Sequence, residues 1–269
     1  MKLTIDGADA YCYTGGKAFD ASLPTVVFLH GAQNDHSVWA LQSRYLAHHG
    51  FGVLAPDLPG HGRSKGAALT SVEAMATWLL AVLDGAGVQQ ALLVGHSMGS
   101  LIALETACQA PARVARLALL GTTYPMKVAD ALLATSRDDE SRAIEMVALW
   151  SHARTSHQPS APGPGFDVIH GARRLMQRMS AINPHQLFFT DFSACNNYAN
   201  GAVAAAAVRC PTLFLLGSKD MMTPVRSAKT LIAAIAHGQV VTVDAGHQMM
   251  AEAPDAVLDA LLAFAGQAA

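Results

Sequence analysis

Ala91-Leu92-Leu93-Val94-Gly95-His96-Ser97-Met98-Gly99-Ser100-Leu101-Ile102-Ala103-Leu104 decides how the rest of the chain is read. The short apolar run Ala91 to Val94 has the character of a buried strand, and the Ala/Leu-rich segment from Ser97 onward that of a helix. Between them stands Gly95-His96-Ser97-Met98-Gly99, a G-x-S-x-G pentapeptide. A strand that turns into a helix within five residues forms a nucleophile elbow, a strained turn that lifts its serine to the top of a sheet. Side chains at Gly95 and Gly99 would collide with the neighbouring strand or helix. The free N–H groups and positive dipole end of the new helix also face the reacting centre. The pentapeptide alone is weak evidence, because a chain of this length carries one by chance roughly 10% of the time. The strand before it and the helix after it supply the context that makes it informative.

Working outward from the elbow, the alternation of strand and helix continues on both sides. Residues 2–13 alternate roughly and reach a turn at Thr14-Gly15-Gly16, as antiparallel edge strands would. Thr25 to Leu29 and Phe51 to Ala55 are buried strands, with a helical pattern from Ser37 to His49 between them. Pro56 to Ser64 is turn-rich, and an amphipathic helix runs from Ser71 to Leu83. After the elbow helix, Pro111 is a stop signal. Val114 to Leu120, Thr212 to Leu216 and Val240 to Val243 are further strands, and helices begin near Pro224 and Gln248. Such alternation implies a mostly parallel sheet covered on both faces. The alternation breaks between Thr122 and Ala207, where helical patterns carry Trp150, Met176, Met179 and Phe188. Gln158 to Gly165, rich in proline and glycine, reads as a mobile loop within that region.

In these residues and their order the chain resembles the α/β-hydrolase superfamily. The resemblance runs from about His30 to the C-terminal helix and is weakest over 122–207. It implies an eight-stranded, mostly parallel α/β sheet. It also implies a core domain of residues 1–121 and 208–269 with a helical cap, residues 122–207, inserted in it.

A serine hydroxyl becomes a good nucleophile when a base takes its proton, and a histidine oriented by a carboxylate is the usual base. The family's order is serine, acid, histidine. After Ser97, Asp220 follows the strand at 212–216 and His247 follows the strand at 240–243. Both therefore fall at the C-terminal edge of a parallel sheet, where Ser97 lies. Asp220 also suits the cap of the helix near Pro224. Asp244, three residues before His247, is the weaker candidate acid. No acid follows the strand ending at Leu120, which favours Asp220. Met98, directly after the nucleophile, offers one backbone N–H to a developing oxyanion. By resemblance to the family's His-Gly-x loop, Ala32 offers the second. Loss of one such donor costs about 2.7–4 kcal/mol of transition-state stabilisation. Trp39, Trp150 and Met249 are candidate pocket residues, with core packing as the competing reading for Trp39 and Met249.

Several other groups have simpler readings. His96 should point away from the reacting side of the elbow, and His30 should buttress its loop. Asp57, His61 and Arg63 read as solvated charges on a Pro/Gly turn. Arg173, Arg174 and Arg178 read as a solvated helix face, although one of them facing Ser97 could hold a substrate carboxylate.

The composition narrows the function classes. The chain has 269 residues, 51% hydrophobic and 14% charged, with a net charge of −2. That balance gives no electrostatic case for nucleic acid or an anionic membrane surface. No apolar run approaches the ~20 residues of a membrane span. The N-terminus lacks a signal-peptide core, and the four cysteines lack metal-ligand spacing, so reduced thiols in the cytoplasm are expected. The expected activity is a cofactor-free, metal-free serine hydrolase acting on a small-molecule carboxylic ester or lactone. The same triad would serve a carbon–carbon bond hydrolase, a perhydrolase or a small-molecule receptor. Having serine rather than aspartate at position 97 argues against haloalkane dehalogenase and epoxide hydrolase chemistry.

Overall fold

The computed structural model describes residues 1–157, 168–183 and 186–266, so the expected loop over 158–165 lies outside the described residues. Eight strands form one sheet: β1 (Lys2–Ile5), β2 (Ala8–Tyr13), β3 (Thr25–Leu29), β4 (Gly52–Pro56), β5 (Ala91–His96), β6 (Val114–Leu120), β7 (Thr212–Gly217) and β8 (Gly238–Val243). Their spatial order is β1-β2-β4-β3-β5-β6-β7-β8. β1 and β2 pair antiparallel with each other, and β2 pairs antiparallel with β4; every later pairing is parallel. β3, β4, β5 and β7 are buried along their whole length. That burial explains why they read as continuous apolar runs: helices cover both faces of a parallel sheet.

The helices are α1 (Ala40–Ala47), α2 (Val72–Gly85), α3 (Met98–Gln109), α4 (Asp130–Asp138), α5 (Glu140–Trp150), α6 (Val168–Ile182), α7 (Leu187–Asn197), α8 (Gly201–Ala207), α9 (Lys229–Ala234), α10 (Met249–Glu252) and α11 (Pro254–Ala265). Their boundaries follow local chemistry. Ser71 caps α2 by accepting the Ala74 N–H, and Pro254 stands at the start of α11. Two helices expected as single units each begin with a 3-10 turn, at His36–Trp39 and Val225–Ala228. On one face of the sheet α2 and α3 share a core with β5 and β6; on the other, α1 and α11 pack around Phe28, Trp39 and Phe264.

Among the described residues, five α-helices lie between β6 and β7. Residues of α4 to α7 build a separate cluster with Leu132, Ile144, Met176 and Phe188. α8 differs, because its Ala204 and Ala205 sit in the same core cluster as Leu104 and Ala107 of α3. α7 also reaches that cluster through Ala194 and Cys195, so the expected inserted region, 122–207, is not separate from the main body. Among the described residues no helix is long and apolar enough to cross a membrane.

Candidate active site

The elbow is built by backbone contacts that tolerate no side chain. A Cβ on Gly95 would lie 2.1 Å from the Gly99 carbonyl oxygen, and one on Gly99 would lie 2.3 Å from that of Leu29. These approaches let β5 turn directly into α3 beside β3. Ser97 takes the strain, with φ 54° and ψ −119°, a region that L-residues rarely enter. Its N–H is anchored to Leu120 O at 2.9 Å, and Gly31 packs so closely that an added Cβ would be 3.2 Å from Ser97 Cβ. Ser97 is half-buried, and with Ala32, Trp150, Thr223 and His247 it lines a cavity of about 290 Å³. Most of the remaining wall is apolar, including Leu132, Phe192 and Met222.

Asp220 and His247 leave adjacent parallel strands, β7 and β8, and meet. Nδ1–H of His247 donates to Asp220 Oδ2 at 2.8 Å. Asp220 Oδ1 accepts the N–H groups of Met222 and Thr223, both at 2.8 Å. Asp220 thus holds the turn through one oxygen and the His247 imidazole through the other; it does not cap the following helix, whose N-cap, Pro224, has no side-chain bond. Burial pushes the Asp220 carboxyl up, but the His247 charge and the bonds from His247 and Thr223 outweigh it and hold the group below the usual carboxylate range. Ser97 is not bonded to the imidazole; the two share the cavity wall. Asp244 points away, with its side chain 77% exposed and paired with Lys219. The Ala32 and Met98 backbones flank Ser97. Ala32 lines the cavity and Met98 is the first residue of α3, whose N–H has no intrahelical acceptor.

Three supporting residues escaped the sequence reading or were undervalued by it. Thr223 Oγ1 donates to Asp220 Oδ2 at 2.7 Å, a bond whose only sequence signal is an Asp-x-x-Thr turn. His96 Nε2–H donates to the His247 carbonyl at 2.8 Å, and the two rings lie 4.6 Å apart. Burial and the neighbouring His247 hold His96 down at about 3, so it remains a neutral donor. Glu252 accepts the Gly246 N–H beside the histidine and the N–H of the adjacent Ala153.

The structure corrects several expectations. Trp39 and Met249 are fully buried in the core beside α1 and α11 and do not line the cavity, because each projects from its helix towards the sheet. Trp150 does line it, 38% exposed. Asp57 and His61 are not solvated. Asp57 is fully buried, accepting the Nδ1–H and N–H of His36 and the Arg63 N–H. His61 donates from Nε2 to the fully buried Asp191 at 2.9 Å and from Nδ1 to Pro59 O at 3.1 Å. Two acceptors imply a doubly protonated ring. Accordingly, although burial pulls His61 down, Asp191 outweighs it and raises the group above its ordinary value. The arginines of α6 avoid the cavity: Arg173 pairs with Glu145, Arg174 with Gln177 and Arg178 with Asp35.

Among the described residues, one group of side chains has metal-ligand proximity: Asp35, His36 and Asp57. Its oxygens are already engaged. Asp35 accepts from Ser37 and from Arg178, and Asp57 from His36 and Arg63. A cation would have to displace a guanidinium that already neutralises Asp35.

Known proteins share this architecture. A family model described as alpha/beta hydrolase fold matches residues 24–254. Lipase LipV of Mycobacterium tuberculosis is 34% identical over 137 residues, 47% of this chain and about half (51%) of that protein. The 3-oxoadipate enol-lactonase 1 of Acinetobacter baylyi is 25% identical over 250 residues, 90% of this chain and 88% of its own. Among solved structures, Est816, described as an N-acyl homoserine lactone degrading enzyme, superposes with a TM-score of 0.84 at 22% identity, covering 98% of this chain and 100% of its own. With the family model spanning most of the sequence, this chain belongs to the α/β-hydrolase fold family.

Proposed function

We propose that the protein is a serine hydrolase that cleaves a small carboxylic ester or lactone through a Ser97–His247–Asp220 triad, without metal or cofactor. The observation that carries the reading is the buried Asp220–His247 hydrogen bond on the wall of the cavity that also exposes the strained Ser97. Relatives described as a lipase and an enol-lactonase support the choice of ester chemistry.

In this reading Ser97 Oγ attacks the carbonyl carbon while His247 Nε2 takes its proton. Asp220 keeps the Nδ1–H tautomer and stabilises the imidazolium that forms. The carbonyl oxygen becomes an oxyanion held by the N–H groups of Ala32 and Met98. The alkoxide leaves with the proton from His247. For a lactone, it stays attached as the hydroxyl of the acyl chain. Water, deprotonated by His247, then releases the acid and restores Ser97. The cavity's size and apolar wall suit a short, greasy acyl group. Helices α4 to α7 act as the lid over it, and the protein works in the cytoplasm. A carbon–carbon bond hydrolase using a cap arginine has less support, since all three arginines are engaged elsewhere.

The test is a side-by-side panel of p-nitrophenyl esters of rising acyl length, simple lactones and a vinylogous diketone acid. Turnover is expected on short esters or lactones and should vanish in Ser97→Ala. A Ser97→Ala protein that retains substantial ester turnover overturns the mechanism.

A further inference from the structure

Asp191 belongs to α7, the helix whose Phe192 and Cys195 line the cavity, yet its carboxylate faces away from the cavity. It is fully buried, and Oδ2 accepts the Gln33 backbone N–H at 2.7 Å as well as the His61 imidazole. Gln33 directly follows Ala32. Its φ of 56° lies in the left-handed region, which residues other than glycine seldom enter. The same peptide is gripped at its other end, where Asn34 Nδ2 donates to Ala32 O at 3.2 Å. The Gln33 side chain is tied to the insertion too, through Glu140, Ser180 and the Met176 carbonyl. Charge-assisted bonds of this kind are roughly twice as strong as neutral ones, and here water is excluded.

From this arrangement we propose that Asp191 is a positioning residue for the oxyanion hole, acting on Ala32 through the Gln33 peptide. It rests on the preceding reading, in which Ala32 N–H receives the developing charge. An oxyanion donor works only if it is oriented before charge develops, and backbone in a strained turn needs an external restraint to stay so. The restraint on the Gln33 N–H comes not from the sheet domain but from α7. One helix therefore touches the acyl group through Phe192 and Cys195 and sets the oxyanion loop through Asp191. A substrate that displaces α7 would misalign the donor, so the fit of the acyl group and the rate of its cleavage are coupled. His61, bonded to the same oxygen, neutralises the buried carboxylate and keeps it at that place.

The test compares Asp191→Ala and Asp191→Asn in the full chain with a short ester substrate and a trifluoromethyl ketone. The ketone adds Ser97 Oγ to its carbonyl carbon, passes the proton to His247 and leaves an oxyanion in the hole. Asp191→Ala is expected to lower kcat about 100-fold, the cost of a lost oxyanion donor, while KM moves by less than about threefold. The inhibition constant of the ketone should weaken by the same factor as kcat/KM. Asp191→Asn, which keeps an acceptor of the same shape but loses its charge, should fall about tenfold in both. A residue that only packs would lower the melting temperature and leave kcat and ketone affinity per folded molecule unchanged, and that result overturns the proposal. If the alanine variant does not fold, the asparagine variant decides: kcat and ketone affinity within about twofold of the unaltered protein overturn the proposal. Ser97→Ala separates the two readings. If it stays active, the triad falls; if it is dead while both Asp191 variants are fully active, only the role of Asp191 falls.

Discussion

Two aspartate–histidine pairs stand at strand ends on opposite sides of β5 and β6, and distance does not tell them apart. Asp220 and His247 are 2.8 Å apart; Asp57 and His36 are 2.7 Å apart. In both pairs the carboxylate is fully buried and also accepts backbone N–H groups. The difference lies on the far side of the imidazole. His36 packs between Tyr11 and Tyr13, with ring centroids 5.1 and 5.4 Å away, and so closes the gap between β2 and the turn after β4. His247 has its far side on a cavity shared with Ser97. A base needs a proton donor beside it: the His247 imidazole opens on the cavity wall it shares with Ser97, whereas the His36 ring lies against two tyrosines.

The largest effect should come from breaking the open pair. His247→Ala should lower kcat on the order of 10⁶-fold, and labelling of Ser97 by a fluorophosphonate, followed by mass spectrometry, should slow in step. Asp220→Asn should cost about 10⁴-fold in kcat with the fold preserved, because the imidazole is left in the wrong tautomer. Asp57→Ala should do the reverse. It should cost about 3 kcal/mol in urea unfolding, from a buried charge network that loses its centre, with kcat per folded molecule nearly unchanged. If Asp57→Ala instead abolished turnover while leaving stability intact, the distinction between the pairs would fail.

Two smaller changes sharpen the contrast. Thr223→Val removes a bond to the ionised Asp220 and should lower kcat about tenfold. Asp220 titrates below its ordinary 3.8 in the folded state. Its contribution to stability is therefore present above that pH and lost as pH falls through the folded value. Without Thr223 the folded value rises, and the acid limb of the stability curve should move to higher pH. His96 works in the same direction but over a higher pH range. Its folded value of about 3 against an ordinary 6.5 means that the unfolded chain binds the extra proton between those limits, so stability drops as pH falls from 6.5 towards 3. His96→Gln should remove about one proton, or ~1.4 kcal/mol per pH unit, from that slope, as read from urea midpoints across the range.

The sheet was legible because β3, β4, β5 and β7 are buried on both faces, and full burial forces an uninterrupted apolar run. The order Ser97, Asp220, His247 was legible because each residue follows its strand within a few positions. What stayed hidden depends on contacts far apart in the chain. Asp57 looked like part of a solvated turn because nothing nearby in sequence shows that His36 and β2 would cover it. His61 looked solvated because its partner lies 130 residues away. Trp39 and Met249 sit close to the right strand ends, but spacing along a short helix does not say whether a side chain turns towards the sheet or towards substrate. α8 read as part of the insertion because its alanine run is helical anywhere; its attachment to α3 is a tertiary fact.

Glu252 bears on how such a molecule can diversify. One carboxylate meets the histidine loop at Gly246 and the inserted helices at Ala153 and Ser156. A Cβ on Gly246 would lie 2.6 Å from the Ala153 nitrogen, so the two backbones nearly touch. Exchanging the insertion for one of another length, the ordinary route to new substrates on a shared scaffold, would strand that carboxylate unless the replacement offered a donor at the same spot. Descendants of this chain would sooner change selectivity by single substitutions along the cavity wall than by wholesale grafts.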